Sequence, residues 1–570
     1  MEAAAAAKER EHPAHTANGD EQRYASANYA RSFTKGLEHS STTGLIVNKV
    51  DFEGFRRAID EGFIDAFTAE VRPAPTKERA WEAPTAGVVY ELQGPDPQAV
   101  TMAPAPALGS DELAYEMAEV YELALLRDVP LTEFSGAAAN LSVDNALSRL
   151  NALPYATDGF PNRPRTTEGG GVTAQTLFRG SSPGVEVGPY LSQFMLIGND
   201  QPEPNGRRLS DGFVQYGALQ IDQRVPVAVA QDYMIDWSGW LRAQNGEKLR
   251  DNDALFEDVN VAPRRFITFP RDLATYVHDD ALYEAYLNAC LILLSMGAPF
   301  DPGFANLSGQ GTYFLNSLRG DARVFEYHPR EAGGFALYGG PHILTLVTEV
   351  ATRALKAVRY QKFNNHIRLR PEALAGRIQA AAAIESAFPQ VGTVFSDLAA
   401  SIAPTVGAVQ AANSSSTALL PMAFQEGSPM HPAYGAGHAT VAGACVTILK
   451  AFFDTNAVFV RRSNRDLFAL HESGDVAVQY VSADMGANLV DSTGGDYLTL
   501  EGELNKLAAN ISIGRNMAGV HYYSDYYDSL RMGEQIAIGI LEEQALCYPT
   551  DPFVLTVPTF DGDVVRIGAR

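Results

Sequence analysis

Gly514-Arg515-Asn516-Met517-Ala518-Gly519-Val520-His521-Tyr522-Tyr523-Ser524-Asp525 sets an arginine, a histidine and an aspartate at fixed offsets between two segments of helical periodicity. Upstream, Leu500, Leu504, Leu507 and Ile511 recur on one helical face, and Gly514 is expected to end that helix. A second helix is expected after Gly519, with His521 in its first turn and Asp525 one turn on, on the same face. A carboxylate there can hold one imidazole nitrogen and leave the other free as a base or a metal ligand. A surface His–Asp pair beside an exposed arginine is the alternative, and this stretch alone does not separate the two.

The composition narrows the setting. The chain has 570 residues, 46% hydrophobic and 20% charged, enough for a large core and two or three domains. A net charge of −24 argues against nucleic acid or an anionic membrane as partner. It also makes any cluster of lysine and arginine notable, because an anion site would be built against the overall field. No apolar run of about 18 residues is present, so no membrane span is expected. Residues 1–13 lack a hydrophobic signal core. The expected setting is soluble and, by default, cytoplasmic. Cys290, Cys445 and Cys547 are far apart, which excludes a cysteine-rich zinc site and a dense disulfide framework and leaves one bridge open.

Along the chain, residues 1–22 read as a flexible polar tail, 23–300 as a helical region with long arms suited to oligomerisation, and 301–570 as a helical bundle ending in a β-hairpin. Phe52, Phe55, Ile59, Phe63 and Phe67 suggest one amphipathic helix. Prolines and glycines from Arg72 to Gly109 predict a long loop or arm, and residues 155–190, with Gly169-Gly170-Gly171, are loop-like too. Ser110 is a candidate N-cap. A buried helix is expected from Thr275 to Met296. Another opens at Gly340-Pro341 and runs towards Lys362, a third covers Glu372 to Ala387, and residues 404–433 read as loop. Pro371 favours an extended Arg370. Gly437 opens a helix whose small residues permit close packing, and strands flank Asp561-Gly562. The fold class is mainly α, with two helix bundles around a central anion pocket and a small C-terminal hairpin.

Two further segments complete the first. Lys362-Phe363-Asn364-Asn365-His366-Ile367-Arg368-Leu369-Arg370-Pro371 and His431-Pro432-Ala433-Tyr434-Gly435-Ala436-Gly437-His438-Ala439 add cations, histidines and a helix N-terminus. Lys362, Arg370, Arg515 and the amides near Gly437 suit the oxygens of a tetrahedral oxyanion. One histidine can bond its central atom while another moves protons.

In combination these segments resemble the motifs of vanadium-dependent haloperoxidases, whose anion pocket is shared with a superfamily of acid phosphatases. The likeness is closest to the algal and cyanobacterial bromoperoxidases. Seven residues separate Lys362 from Arg370, one more than the phosphatases and fungal chloroperoxidases usually have. Tyr338-Gly339-Gly340-Pro341-His342-Ile343-Leu344 is also of the bromoperoxidase type. The resemblance covers roughly the C-terminal half.

It implies a vanadate cofactor bonded by His521, with Lys362, Arg370, Arg515 and the Gly437 amide balancing its oxygens. His438 would be the acid–base group, Lys362 would polarise bound peroxide, and His431 would tune halide oxidation. Hydrogen peroxide, bromide and a small organic acceptor would be the reactants. A structural divalent cation is allowed, with no ligands legible, and a homo-oligomer between dimer and dodecamer is expected. Ala436 and Gly514 stand where the family usually has serines. An acid phosphatase with His521 as nucleophile is the rival enzyme, and a non-catalytic assembly protein with a vestigial pocket is the other rival. His328, His342 and His366 read as structural, and Asp525 as either a partner of His521 or a helix-surface carboxylate.

Overall fold

The computed structural model describes the whole chain except residues 136–138, 200–207, 250–255, 259, 309–333, 550, 552 and 569–570. His328 therefore lies outside the described residues. The elements that matter for the site are helices α1 (Lys49–Glu61), α2 (Asp111–Leu125), α3 (Pro270–Tyr276), α4 (Glu284–Met296), α5 (Gly340–Tyr360), α6 (Pro371–Gln379), α7 (Gly437–Phe452), α8 (Leu500–Met517) and α9 (Tyr523–Cys547). The chain is mainly helical, as expected.

The small residues of α7 let it lie in the middle of the bundle, against α5, α8 and α9. A Cβ at Gly443 would come within 1.9 Å of the Leu530 carbonyl oxygen, and one at Gly533 within 2.0 Å of that of Thr440. Glycine at both positions is thus what permits the α7–α9 approach. The apolar residues of both halves form one cluster reaching from Tyr24 to Ile567. A second, smaller cluster packs Phe33, Phe52 and Phe55 against Phe363 and Ile367, beneath the lysine segment.

The hairpin pairs β8 (Leu555–Pro558) with β9 (Val564–Ile567), as read from the sequence. Two sheets were not anticipated. Antiparallel β1 (Phe213–Tyr216) and β2 (Leu219–Asp222) form one. The other links β3 (Val458–Arg462), β4 (Arg465–Ala469), β5 (Val476–Ala483), β6 (Asn488–Thr493) and β7 (Leu498–Thr499).

Several expected elements are corrected. Gly514 does not end α8; a Cβ there would meet Leu273 Cγ at 3.1 Å and Val277 Cγ2 at 3.2 Å, so glycine serves the contact with α3, and the turn comes at Gly519 (φ 86). His521 lies just ahead of α9 rather than in its first turn, because the Asp525 carboxylate accepts the Tyr522 N–H (3.1 Å) and caps the helix there. The 275–296 helix is broken between α3 and α4: the Val277 carbonyl accepts from Arg515 (2.6 Å), and His278 stacks on Phe424 at 3.6 Å. The 52–67 helix is interrupted at Gly62 (φ 72), before a short helix Ile64–Glu70. The 372–387 helix is two pieces, α6 and Ala381–Ala387, and the 404–433 loop begins with a helix Ala403–Ala412.

The proline-rich 72–109 segment has no regular element, as read, yet it folds back on its own chain. The Trp81 indole N–H donates to Lys35 O (2.9 Å), and Arg79 donates to Glu426 O (3.1 Å). Residues 1–22 carry a helix Glu2–Lys8, and Arg10 donates to Glu91 O (2.8 Å) while the His15 ring bonds Gln98 O (2.9 Å). Ser110 caps α2 as expected, accepting from Leu113 N at 3.2 Å. All three cysteines are free, with Cys290 and Cys445 buried and Cys547 exposed. No helix among the described residues is long and apolar enough to cross a membrane.

Candidate active site

After α5 the backbone continues as one wider, π-helical turn, Gln361–His366, closed by Ile367 in the left-handed region (φ 44). A β-branched residue there is held only because its surroundings over-determine it: Ile367 is buried in the small aromatic cluster and its carbonyl accepts from Phe33 N at 2.8 Å. This turn buries Lys362 and leaves residues 368–370 extended. Arg370 is extended as the following proline requires (φ −77, ψ 158). Ala433 N donates to Arg368 O (2.9 Å), tying this segment to the loop that carries His431.

The three cations and the histidines converge here. Lys362 Nζ donates to the carbonyls of Pro432 (2.7 Å) and Ala433 (3.1 Å). The Arg370 guanidinium donates to His431 O (2.9 Å), Val520 O (2.7 Å), His521 Nε2 (3.0 Å) and His431 Nδ1 (2.7 Å). His521 Nδ1 faces Asp525 Oδ2 at 2.8 Å. The two contacts of His521 fix its tautomer: Nδ1–H donates to the carboxylate, and Nε2 carries the lone pair. For His431, the cationic donor at 2.7 Å outranks the Pro432 carbonyl 3.2 Å from the same Nδ1, so its proton sits on Nε2, 3.5 Å from Glu82 Oε2.

Asp525 is not a surface carboxylate. It is fully buried, and its Oδ1 accepts from Arg368 (2.9 Å). Arg368 also donates to Ser524 Oγ (2.8 Å) and pairs with Glu116 of α2, whose other oxygen takes the Ser524 N–H (3.1 Å). The ion pairs raise the Arg368 guanidinium above its usual range against the opposing effect of burial.

His438 stands in the first turn of α7, and its Nε2 lies 2.9 Å from Asp280 Oδ1, in the break between α3 and α4. Burial lowers the His438 pKa from the ordinary histidine value, with the Asp280 carboxylate acting in the opposite direction. Ala436 N donates to Ser529 Oγ (2.8 Å). At Gly437, whose amide opens α7, a Cβ would meet Leu355 Cδ2 at 3.7 Å, an ordinary contact, so protein packing does not demand the glycine.

Electrostatically the cluster is incomplete without an anion. Lys362, Arg370 and Arg515 are buried, and among the described residues none of them forms an ion pair. Arg515 gives one bond to Val277 O (2.6 Å), and its Nε is buried without a partner. Burial, then Arg370 and Arg359, hold the Lys362 ammonium well below the usual lysine range. Burial, then Arg370, Lys362 and Arg515, do the same to His521, which keeps its Nε2 lone pair available. His431 is likewise held neutral, by burial and then Arg359. Uncompensated buried charge is strongly unfavourable, and an oxyanion supplies what is missing. The donor set fits vanadate: one unprotonated imidazole nitrogen for the metal and three cations for its oxygens.

Of the residues singled out in the sequence, Arg370 bonds both His431 and His521, Lys362 bonds the loop that carries His431, Arg515 and His438 meet the 277–280 break, and Gly437 directly precedes His438. Asp280, Arg368, Glu116 and Glu82 were not singled out. The pair Asp279-Asp280 interrupting an apolar helix pattern was the available signal for the first. Glu116 and Glu82 are distant in sequence and gave none. His366 is structural, edge-on to Tyr434 with ring centroids 4.6 Å apart, and His342 lies in the first turn of α5.

Comparison with known proteins shows the family. The chain is 41% identical to the vanadium-dependent bromoperoxidase of Corallina pilulifera, across 97% of this chain and 94% of that relative. The chain belongs to the vanadium-dependent bromoperoxidase family. The Ascophyllum nodosum vanadium-dependent bromoperoxidase is 31% identical over 85% of this chain and 77% of its own. A homohexameric structure of the second vanadate-dependent bromoperoxidase of Ascophyllum nodosum superposes with a TM-score of 0.73 at 26% identity, covering 98% of this chain and 87% of that one. Residues 404–546 match the model of the VCPO second helical-bundle domain. As a member of this bromoperoxidase family the chain is a vanadate-dependent haloperoxidase, an enzyme of the peroxidase class, and the phosphatase alternative is not favoured.

Proposed function

We propose that the Lys362–Arg370–Arg515–His521 cluster holds vanadate and that the chain oxidises bromide with hydrogen peroxide to hypobromous acid, which halogenates small organic acceptors. The observation that carries this is the set of three buried cations that form no ion pair among the described residues, beside an imidazole whose Nε2 is unprotonated. Bound vanadate supplies a Lewis acid that activates peroxide. The protein does the rest. Lys362, Arg370 and Arg515 offset the negative charge of the oxygens, and the Gly437 amide adds the partial positive end of α7. Asp525 locks the tautomer in which His521 Nε2 is unprotonated; that nitrogen accepts from Arg370 (3.0 Å) and would bond the metal once the Arg370 N–H turns to a vanadate oxygen. His438 gives its Nε2–H to Asp280, so Nδ1 is the nitrogen that takes up and releases protons. His431 braces Arg370 from behind and tunes halide oxidation through it. Lys362 polarises the peroxide.

The same reading includes a homo-oligomer, supported by the homohexameric relative. For a structural divalent cation, the described residues contain no group of three acidic, histidine or cysteine side chains fit to hold one. The test is peroxide-dependent bromination by metal-stripped protein. Activity should be absent until vanadate is added and then rise to saturation; activity indifferent to vanadate would refute the reading.

A further inference from the structure

Exposure is graded across the cation cluster. Lys362, Arg370, Arg515 and His521 are at most 4% exposed. The side chains of His431 and Arg359 are 9% and 15% exposed, and that of Glu82, which faces both, is 43% exposed. Glu82 thus marks an entrance to the cluster, beside His431.

Glu82 lies in the proline-rich arm and is tied twice to the residue ahead of His431. Its N–H donates to Met430 O (3.1 Å), and its Oε1 accepts from Met430 N (3.2 Å). Oε2 is thereby directed at the cluster, 3.5 Å from His431 Nε2 and 4.0 Å from Arg359 Nη2. Its charge also acts on the cations behind these two. Burial depresses the pKa of Lys362, Arg370 and Arg515, and the Glu82 carboxylate opposes that effect at all three. Asp525 and Asp280 act from inside, where Arg368 and His438 engage them; Glu82 acts from the solvent side.

The two reactants differ at such an entrance. Bromide carries a full negative charge, and hydrogen peroxide near neutral pH carries none. A carboxylate on the approach to a cationic pocket raises the electrostatic free energy of an incoming anion and leaves a neutral molecule unaffected. We propose that Glu82 is a charge filter at the entrance of the pocket, opposing the entry of anions, halides included, and passing hydrogen peroxide. It selects by charge and not by halide, because a carboxylate offers an anion no donor. Without it, three buried cations would draw in the small anions of the medium as well.

The inference rests on the reading of the cluster as the oxidising oxyanion site, and the test separates the two. In the vanadate-loaded full-length enzyme, Glu82→Gln should raise kcat/KM for bromide and for iodide by a common factor of about two- to fivefold, the scale of one half-exposed charge acting through water. It should leave kcat/KM for hydrogen peroxide unchanged. Glu82→Asp keeps the charge on a shorter side chain and should stay at the wild-type values. A purely structural role predicts the reverse order, because glutamine keeps an acceptor for Met430 N–H and His431, whereas aspartate does not reach both. Titration of the metal-free proteins with inorganic phosphate, followed by calorimetry, gives a readout without turnover, and Glu82→Gln should bind phosphate more tightly than the wild type. The change is isosteric and half-exposed, so the fold should persist, which near-ultraviolet circular dichroism checks. Phosphate that fails to bind the wild type would remove the oxyanion site and the filter with it. Phosphate bound equally by wild type and Glu82→Gln, or kcat/KM for bromide and peroxide moving together, would overturn the filter alone.

Discussion

The carboxylate of Asp280 lies 2.9 Å from Nε2 of His438 because the chain leaves helical geometry between α3 and α4. Residues 277–280 are drawn off the helix by three partners: Arg515 takes the Val277 carbonyl, Glu426 faces His278 Nε2 at 2.8 Å, and His438 takes Asp280. One break in one helix thus serves both Arg515 and His438.

Asp280→Asn is predicted to slow bromide oxidation and to move its pH dependence in a stated direction. Burial depresses the His438 pKa, and the Asp280 carboxylate opposes that effect. Without the carboxylate the imidazolium is less stable, so the pH–rate limb set by His438 should shift to lower pH. The rate loss is bounded by the whole contribution of a general acid–base group, about 10²–10⁴-fold. A pH profile of kcat/KM for bromide, identical in variant and wild type, would contradict this.

Arg368→Met should be strongly destabilising. It strands Glu116 and Asp525 together in a buried site, and breaking such a pair costs about 3–5 kcal/mol. A folded fraction should also bind vanadate more weakly, since Asp525 loses a bond that holds it against His521. Thermal unfolding and vanadate titration check the two effects; wild-type values in both would show that the Glu116–Arg368–Asp525 connection is idle.

The sequence made the site more legible than the framework around it. Lys362, Arg370, His438, Arg515 and His521 lie in three short segments whose residue types and spacings are set by the chemistry of an oxyanion, so they could be read locally. The sheet built from β3 to β7 escaped notice because its strands lack the alternation of a half-buried sheet: β3 and β4 are buried in continuous runs, and β6 is mostly exposed. Gly514 was misread for a physical reason: a glycine near a helix end signals a stop, but here it answers the contact with Leu273 and Val277, which only the tertiary structure supplies. Glu116 could not be read at all, because a buried carboxylate on α2 looks like any helix-surface acid until Arg368 is placed beside it.

Ala436→Ser should tighten vanadate binding more than it alters bromide turnover. The Ala436 side chain is a methyl group with no donor, and its backbone N–H is already given to Ser529 Oγ (2.8 Å). A serine hydroxyl adds at most one hydrogen bond to a charged acceptor, about 1.5–3 kcal/mol, and part of that acts equally on ground and transition states. Phosphate, of the same shape and charge class, should compete with vanadate in both proteins. Reconstitution across a phosphate series, with bromide and chloride turnover recorded in parallel, tests both points. Indifference to phosphate would contradict the oxyanion pocket, and chloride oxidation matching bromide in the wild type would contradict the missing-donor argument.

A homo-oligomer predicts a scattering mass in solution that is a multiple of the 61.5 kDa chain. Light scattering at micromolar concentration that returns only the monomer mass would reject it.

The central claim is that His521 makes the bond to vanadate on which turnover depends. Metal-stripped wild type and His521→Ala should be dialysed to equilibrium against vanadate, and bound vanadium and peroxide-dependent bromination measured on the same samples. The wild type should take up one vanadate per chain, with bromination rising in proportion. His521→Ala, folded by circular dichroism, should show no bromination at any vanadate concentration, whatever oxyanion its three cations still hold. Near-normal bromination by His521→Ala would contradict the account.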